Sequence, residues 1–342
     1  MKIRESVCFD DVLLEPQKST IQSRDEVDIG SSIGSHDFRL PVIASPMDTV
    51  TESEMSLAMA RSGGLGIIHR YNTIQEQAEI VSEIASTYED LGAARITTIA
   101  AAIGASSNFM ERAATLYGAG ARILCIDVAH GHHSLVERTL KTLKDSYGTR
   151  LTLIAGNVAT AEGFNDLSRW GADAIRVGIG GGSICSTRIQ TGHGIPTLQS
   201  VLDCRTVDSD AKIIADGGIK NTGDIVKALA AGADFVMLGS MLAGTRETPG
   251  MVINNQYKVY RGMASPEAQI AWKGSARSLE GISTTIPLKG DVEDVLDKIS
   301  RNIRSGLSYT GARNLSELRA KARFLKQSPS GLMESRTHIL TK

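Results

Sequence analysis

Eight short apolar runs alternate with amphipathic stretches along this chain. The runs are Leu40–Ala44, Gly66–His69, Ile96–Ala102, Ile123–Val128, Leu151–Val158, Ala174–Val177, Lys212–Asp216 and Phe235–Leu238. Between them lie stretches with one apolar face. Thr73–Ser86 carries Ile74, Ala78, Val81 and Ile84; Leu135–Tyr147 carries Leu135, Thr139, Leu140 and Leu143; Thr222–Ala231 carries Ile225, Val226, Leu229 and Ala230. Strand-then-helix repeats imply parallel strands joined by right-handed crossovers. Eight consecutive units favour a closed (β/α)8 barrel, an α/β fold, over a doubly wound open sheet.

Glycine marks the strand ends. The 342 residues include 34 Gly and 8 Pro. The glycines follow no period, and they cluster at Gly63-Gly64, Gly178–Gly182, Gly217-Gly218 and Gly239. That is where α/β proteins bring backbone close to a ligand. The charge balance of 37 basic against 38 acidic residues argues against a broad nucleic-acid surface. No apolar run approaches the roughly 18 residues of a membrane span, and Met1–Asp11 has no apolar core that would suit a signal peptide. Cys8, Cys125, Cys185 and Cys204 form no C-x-x-C pair, so free thiols and a cytoplasmic location are expected.

No low-complexity linker divides the chain, and a single barrel domain over residues 1–342 is expected. Within it, residues 245–288 read as an active-site hairpin and flap, with Met251–Ile253 pairing Tyr257–Tyr260 around Asn254-Asn255. Two further helices, Val292–Ser305 and Leu315–Lys326, would pack on the barrel. The tail, 327–342, would be mobile or dock on a neighbour.

Barrel chemistry sits in the loops after the strands. Those loops hold Ser45 and Met47; Asp127, Ala129, His130 and His132; Asn157; Gly178 to Arg188; Asp216, Gly217 and Gly218; and Gly239 and Ser240. Bare amides and small side chains after the seventh and eighth strands suit a phosphate, with Ser183 adding a hydroxyl. The bland alternative is tight turns. Asp216 suits a ribose diol or a helix cap. Cys185, in a glycine-rich loop between Ser183 and Thr187, has the setting of a reactive thiol, while Cys8, Cys125 and Cys204 read as inert. His130, His132 and His133 are a weak metal pattern without accompanying carboxylates. No G-x-G-x-x-G opens a first βα unit, so a dinucleotide, if used, lies across the barrel mouth.

Five segments in order then carry a resemblance: Phe9–Leu14 (FDDVLL), Gly178–Arg188 (GIGGGSICSTR), Ala215–Ile219 (ADGGI), Gly239–Gly244 (GSMLAG) and Tyr260–Met263 (YRGM). Together they resemble the IMP dehydrogenase / GMP reductase family from about residue 7 onward. The resemblance implies a barrel that binds a purine nucleotide monophosphate and a nicotinamide dinucleotide. It implies that Cys185 is the nucleophile toward purine C2, assisted by Thr187. Ser183, Gly218, Gly239, Ser240 and Tyr260 match phosphate contacts and Asp216 the ribose contact. Ser45, Met47, Gly217, Gly262 and Met263 complete the nucleotide side. Asp127, Ala129, Asn157 and Gly178 match cofactor-side positions. The carbonyls of Gly180, Gly182 and Cys185 match a monovalent-cation loop, for which potassium is the expected ion. Glu334-Ser335 resembles the segment a neighbouring subunit adds in a homotetramer, with Arg336 where a histidine is common.

The family divides into two activities, and the resemblance favours the reductase. Met263 to Pro287 is short and holds no Arg-Tyr pair of the kind dehydrogenases use to activate water. Leu279-Glu280-Gly281 stands where reductases place a functional glutamate, which would act with Thr187 on the departing amine. Tyr309–Ala312 and Lys289–Val292 also look reductase-like. The regulatory cystathionine-synthase-type domain pair of most dehydrogenases would fall near Tyr88–Ala93, where only a short join exists. FDDVLLEP, GGLGIIHR, GSMLAG and the Glu-Ser tail lean the other way. The resemblance thus implies GMP reductase with NADPH; the alternative is IMP dehydrogenase with NAD. Three departures from the family pattern stand out: Gly181 for a proline or serine, expected to loosen the loop; Thr197 for a glutamine; and Arg176 for a common lysine.

Overall fold

A computed structural model of the chain describes residues 3–90, 98–106, 108–277 and 279–335. Eight parallel strands close a barrel: β1 Val42–Ala44, β2 Leu65–Ile68, β3 Ala100–Ile103, β4 Ile123–Asp127, β5 Thr152–Val158, β6 Ala174–Val177, β7 Lys212–Asp216 and β8 Phe235–Leu238. Each pairs with the next in the chain, and β8 closes on β1 through Val236↔Val42 and Leu238↔Ala44. All eight apolar runs are strands of the barrel. The expected third run began at Ile96, which lies outside the described residues; its strand continues to Ile103.

Strand alternation divides the core in two. Ile43, Leu65, Ile67, Ala100, Ala102, Ile123, Cys125, Ile154, Ala174, Ile214, Phe235 and Met237 fill the barrel interior, and the intervening residues pack outward beneath the helices. A hairpin of Ser31–Ile33 and His36–Phe38 plugs the N-terminal end. Its Ile33 is fully buried, and Phe38 meets Phe235 edge-on at 5.6 Å. The site is thereby left at the opposite, C-terminal end.

The helices follow the apolar faces with one shift. Ser134–Tyr147 buries Val136, Thr139, Leu140 and Leu143, while Leu135, expected on that face, is 45% exposed. One helical residue is a 100° rotation, so Leu135 falls outside the stripe that Val136 heads. Thr222–Ala231 matches its expected span and is capped by the Asn221 side chain, which accepts from the Asp224 amide.

Two expected elements are corrected. Tyr257–Arg261 pairs with Ser283–Pro287 over five residues, not with Met251–Ile253. Only an Ile253↔Tyr257 bridge remains of the expected hairpin, closed by Asn254 and Asn255 at positive φ. Met251–Ile253 stays exposed, whereas the longer partner allows Lys258 and Tyr260 to be buried. The helix expected over Leu315–Lys326 ends at Lys321; Phe324–Lys326 is a strand antiparallel to Val12–Leu14. The exposed backbone of Val12–Leu14 needs hydrogen-bond partners, and that demand overrides helical propensity at Phe324. Within the tail, Pro329–Glu334 forms a helix; residues 336–342, Arg336 among them, lie outside the described residues. Among the described residues no helix is long and apolar enough to cross a membrane.

Phe235→Ala would leave a cavity at the plugged end of the barrel. We expect it to lower unfolding free energy by about 3–5 kcal/mol in urea titrations. Nucleotide affinity should be unaffected, because the plug lies at the end away from the mouth.

Candidate active site

The barrel mouth holds a cavity of about 510 Å³, within the usual range for small-molecule sites. Every residue singled out above as catalytic, substrate-binding or cofactor-binding lines it, and so do Gly180 and Gly182.

The loop after β6 carries the thiol. Gly178 has φ +144°, and a Cβ there would lie 2.0 Å from the Asp216 carbonyl oxygen, so no side chain fits. A Cβ on Gly217 would meet the Gly182 amide at 3.0 Å. The loops after β6 and β7 therefore touch backbone to backbone. A Cβ on Gly181 would lie 2.6 Å from Thr197 Oγ1. Two of the departures from the family pattern thus belong together: the Thr197 hydroxyl takes the space a side chain at 181 would need.

Cys185 is half-buried, and its thiol donates to Thr187 Oγ1 at 3.1 Å. The segment 279–282 is zipped onto this loop. The Ser186 amide donates to the Glu280 carbonyl at 3.0 Å and the Ile282 amide to the Ile184 carbonyl at 3.1 Å. Ser186 Oγ donates to the Leu279 carbonyl at 3.1 Å. These bonds bring Glu280 to the cavity that holds Cys185 and Thr187. The other thiols are poor nucleophiles: burial pushes Cys125 and Cys204 up to about 12, and burial also raises Cys8.

The strand Tyr257–Arg261 lies over the loop after β1. Arg261 donates to Asp48 Oδ2 from Nε at 3.0 Å and from Nη2 at 2.6 Å, and the Asp48 amide meets Met263 Sδ at 3.4 Å. A Cβ on Gly239 would meet the Tyr260 hydroxyl at 2.9 Å and Met47 Sδ at 3.2 Å. Burial raises the Tyr260 phenol above its ordinary value, with Ser183 and Ser240 beside it opposing the shift. Half-buried Lys289, not singled out in the sequence, donates from Nζ to the carbonyls of Ser240 and Met241 at 2.8 and 3.1 Å.

The floor of the cavity is ionic. Asp127, Arg176 and Asp216 stand two residues beyond Cys125, Ala174 and Ile214, so strand alternation turns them inward as the top layer of the barrel. Arg176 donates from Nη1 to Asp127 Oδ1 at 2.5 Å, and from Nη2 and Nε to Asp216 Oδ2 at 2.9 and 3.1 Å. Asn157 Nδ2 donates to Asp216 Oδ2 and to the Gly178 carbonyl, both at 2.8 Å. Arg70 Nε reaches Asp127 Oδ2 at 3.3 Å. Burial alone would raise the Asp127 carboxyl; Arg176 and then Arg70 outweigh it and hold the group below the ordinary 3.8. Gly156 makes the reach possible, because a Cβ there would collide with Arg176 Cβ at 2.6 Å.

Neither Arg176 nor the loop after β2 carries a local binding motif. The alternation of β6 marks Arg176 as inward-facing. That second loop supplies Arg70 and also Tyr71, which stacks on Trp272 of the Pro266–Lys273 helix at 4.1 Å. The histidines are spread over separate structural roles. His132 pairs with Asp166 at 2.9 Å, and the His133 ring accepts from the Leu135 amide at 3.0 Å. Among the described residues no group of three or more His, Cys, Asp or Glu is placed to hold a metal ion. Glu334 and Ser335 are exposed and do not line the cavity of their own chain.

Comparison with known proteins settles the family. Residues 6–338 match the IMP dehydrogenase / GMP reductase domain. The chain belongs to that family of oxidoreductases. It is 33% identical to an inosine-5'-monophosphate dehydrogenase of Nitrosopumilus maritimus, covering 99% of each chain. It is 32% identical to a GMP reductase of Leishmania major, covering 99% of this chain and 98% of the relative. Among solved structures, GMP reductase from Trypanosoma brucei in complex with guanosine 5'-monophosphate superposes with TM-score 0.90 at 29% identity, covering 98% of both chains. The family uses a nicotinamide nucleotide. Its members include both activities, and the chain is similar to both.

Because the Asp127 pKa is depressed in the folded state, its ionisation stabilises the fold above the unfolded value near 3.8 and that contribution is lost as pH falls through the folded value. We expect the stability gap between the parent and Asp127→Asn to be full at pH 6 and to close progressively below about pH 4. Urea unfolding at several pH values measures it.

Proposed function

We propose that the chain is a GMP reductase, converting GMP to IMP and ammonia with NADPH. The observation that carries this reading is the backbone zipper between the Cys185 loop and residues 279–282, which brings Glu280 to the cavity that Cys185 and Thr187 also line. Met263–Pro287, the segment spanning the mouth, contains no Arg-Tyr pair to activate water. A site without that pair favours loss of an amine over hydrolysis.

The cavity suits the nucleotide. Ser183, Gly218, Gly239, Ser240 and Tyr260 would hold its phosphate, and Lys289 would add positive charge behind Ser240. Asp216 would accept from the ribose diol. Met47 and Met263 would enclose the base, with Ser45, Gly217 and Gly262 leaving it room. The Cys185 thiolate then attacks C2 of guanine, forming a carbon–sulfur bond. Thr187 and Glu280 carry a proton to the exocyclic amine, which leaves as ammonia and generates a thioimidate. Asp127, Ala129, Asn157 and Gly178 would hold the dinucleotide, whose reduced nicotinamide would supply a hydride. Its acceptance at C2 breaks the carbon–sulfur bond and returns the thiolate with IMP. GMP, NADPH and two protons thus give IMP, NADP+ and ammonium.

The carbonyls of Gly180, Gly182 and Cys185 offer a neutral oxygen set, suited to a large monovalent cation such as potassium rather than to zinc. A bound ion would steady the loop around the thiol; here the Gly182 carbonyl already accepts from the Cys185 amide at 3.2 Å.

IMP dehydrogenase is the second reading, supported by the dehydrogenase relative at 33% identity. Absorbance of reduced nicotinamide separates the two. With GMP and NADPH it should fall, with IMP and ammonia formed. With IMP, NAD and potassium it should stay flat. Formation of XMP in the second mixture would assign the dehydrogenase. Cys185→Ala should lose turnover by at least about 10³-fold while retaining GMP affinity, as expected for loss of a covalent nucleophile.

A further inference from the structure

Family membership says nothing of how the two halves of the site communicate, and the floor of the cavity has the geometry to do it. Asp127 sits at the end of β4 and Asp216 at the end of β7. The two strands are not neighbours in the barrel. Arg176, on β6 between them, joins both carboxylates with one planar guanidinium: Nη1 faces Asp127, while Nε and Nη2 face Asp216. We propose that Arg176 is a positioning residue that couples nucleotide binding to dinucleotide binding, by tying the carboxylate on one side of the mouth to the carboxylate on the other. This rests on the assignment of Asp216 to the nucleotide ribose and Asp127 to the dinucleotide.

The physical argument is one of shared order. A guanidinium is rigid and planar, with its donors in a fixed fork. Each carboxylate therefore has one oxygen committed to Arg176. On Asp216 that oxygen, Oδ2, also takes Asn157, whose side chain reaches the Gly178 carbonyl. On Asp127 the second oxygen faces Arg70, at 3.3 Å. A ligand that hydrogen-bonds either carboxylate restrains the guanidinium, and the guanidinium restrains the other carboxylate. The second ligand then finds its acceptor already ordered and loses less freedom on binding. Cooperativity arises this way without a change in fold. Arginine is suited to the task and lysine is not: an ammonium is a point charge and cannot hold both carboxylates in one plane. Gly156 keeps the path between β4 and β6 clear. The buried side chain of Arg176 has Cys125 Sγ at 3.8 Å as a further neighbour, and its charge is balanced locally by the two carboxylates.

The test measures the dissociation constant of GMP alone and in the presence of saturating NADP+, which cannot react with it. The ratio is the coupling factor, and by linkage it equals the ratio obtained for NADP+ with and without GMP. The parent should show a factor of about five or more, in the usual range for coupled sites. Arg176→Met should bring the ratio close to one, and Arg176→Lys should leave an intermediate value. Should Arg176→Met fail to fold, Arg176→Lys alone decides the point. A parent ratio of one, or a variant that binds both ligands more weakly but keeps the parent ratio, overturns the coupling role and leaves Arg176 as structural support. If the parent binds IMP and NAD but neither GMP nor NADP+, the functional reading fails, and the same ratio measured with IMP and NADH still decides the coupling. Absence of any purine nucleotide binding overturns both.

Discussion

The ion cluster of Asp127, Arg176 and Asp216 is the interaction on which the mouth of this barrel depends. Three charges stand at the top of a core otherwise made of Ile, Ala, Leu, Phe, Met and Cys. Removing charge from water there is costly, and it is tolerated because each charge meets its opposite at hydrogen-bond distance. Asn157 extends the cluster to the Gly178 carbonyl, at the root of the cysteine loop. The same carboxylates that neutralise the arginine are thereby held at the surface of the cavity. A net stabilising role is not what such a buried cluster guarantees; a fixed arrangement is.

Above that floor the site is assembled by backbone contact. The loops after β6 and β7 approach so closely that Gly178 and Gly217 admit no side chain. The segment 279–282 then lies against the cysteine loop through an isolated antiparallel bridge of Cys185 to Gly281. Candidate catalytic groups distant in sequence by almost a hundred residues share a surface through main-chain hydrogen bonds, which carry no side-chain identity. The second anchor of this segment is ionic. There Arg261 clamps Asp48 and brings Tyr260 and Met263 over the loop after β1. Two anchors, one ionic and one backbone, hold the ends of this segment at the mouth.

Much of this was readable in advance. Strand positions followed from short apolar runs because barrel strands are buried on both faces and cannot tolerate interruption. The glycines at the strand ends located the mouth, and Cys185 stood apart from the other thiols by its loop. Three features were not readable. The pairing of Tyr257–Arg261 depended on a partner beyond the nearest turn, and local rules favour the nearest turn. The extended Phe324–Lys326 answers the unpaired backbone of Val12–Leu14, at the opposite end of the chain. The fit of Gly181 to Thr197 is a packing relation between two positions that each looked like an isolated departure.

By itself, the sequence determined the number and order of the barrel strands, several of the helices that cover them, the face of the barrel that would carry chemistry, and the identity of the candidate nucleophile. Those are local properties: periodicity, turn-forming residues and side-chain chemistry act over a few positions. Tertiary structure decided which carboxylates share Arg176, which segment zips onto the cysteine loop, and which strand seals the flap. These are choices among distant partners. Closing the barrel converts residues fifty or a hundred positions apart into neighbours, and only then do hydrogen-bond satisfaction and steric fit select among them.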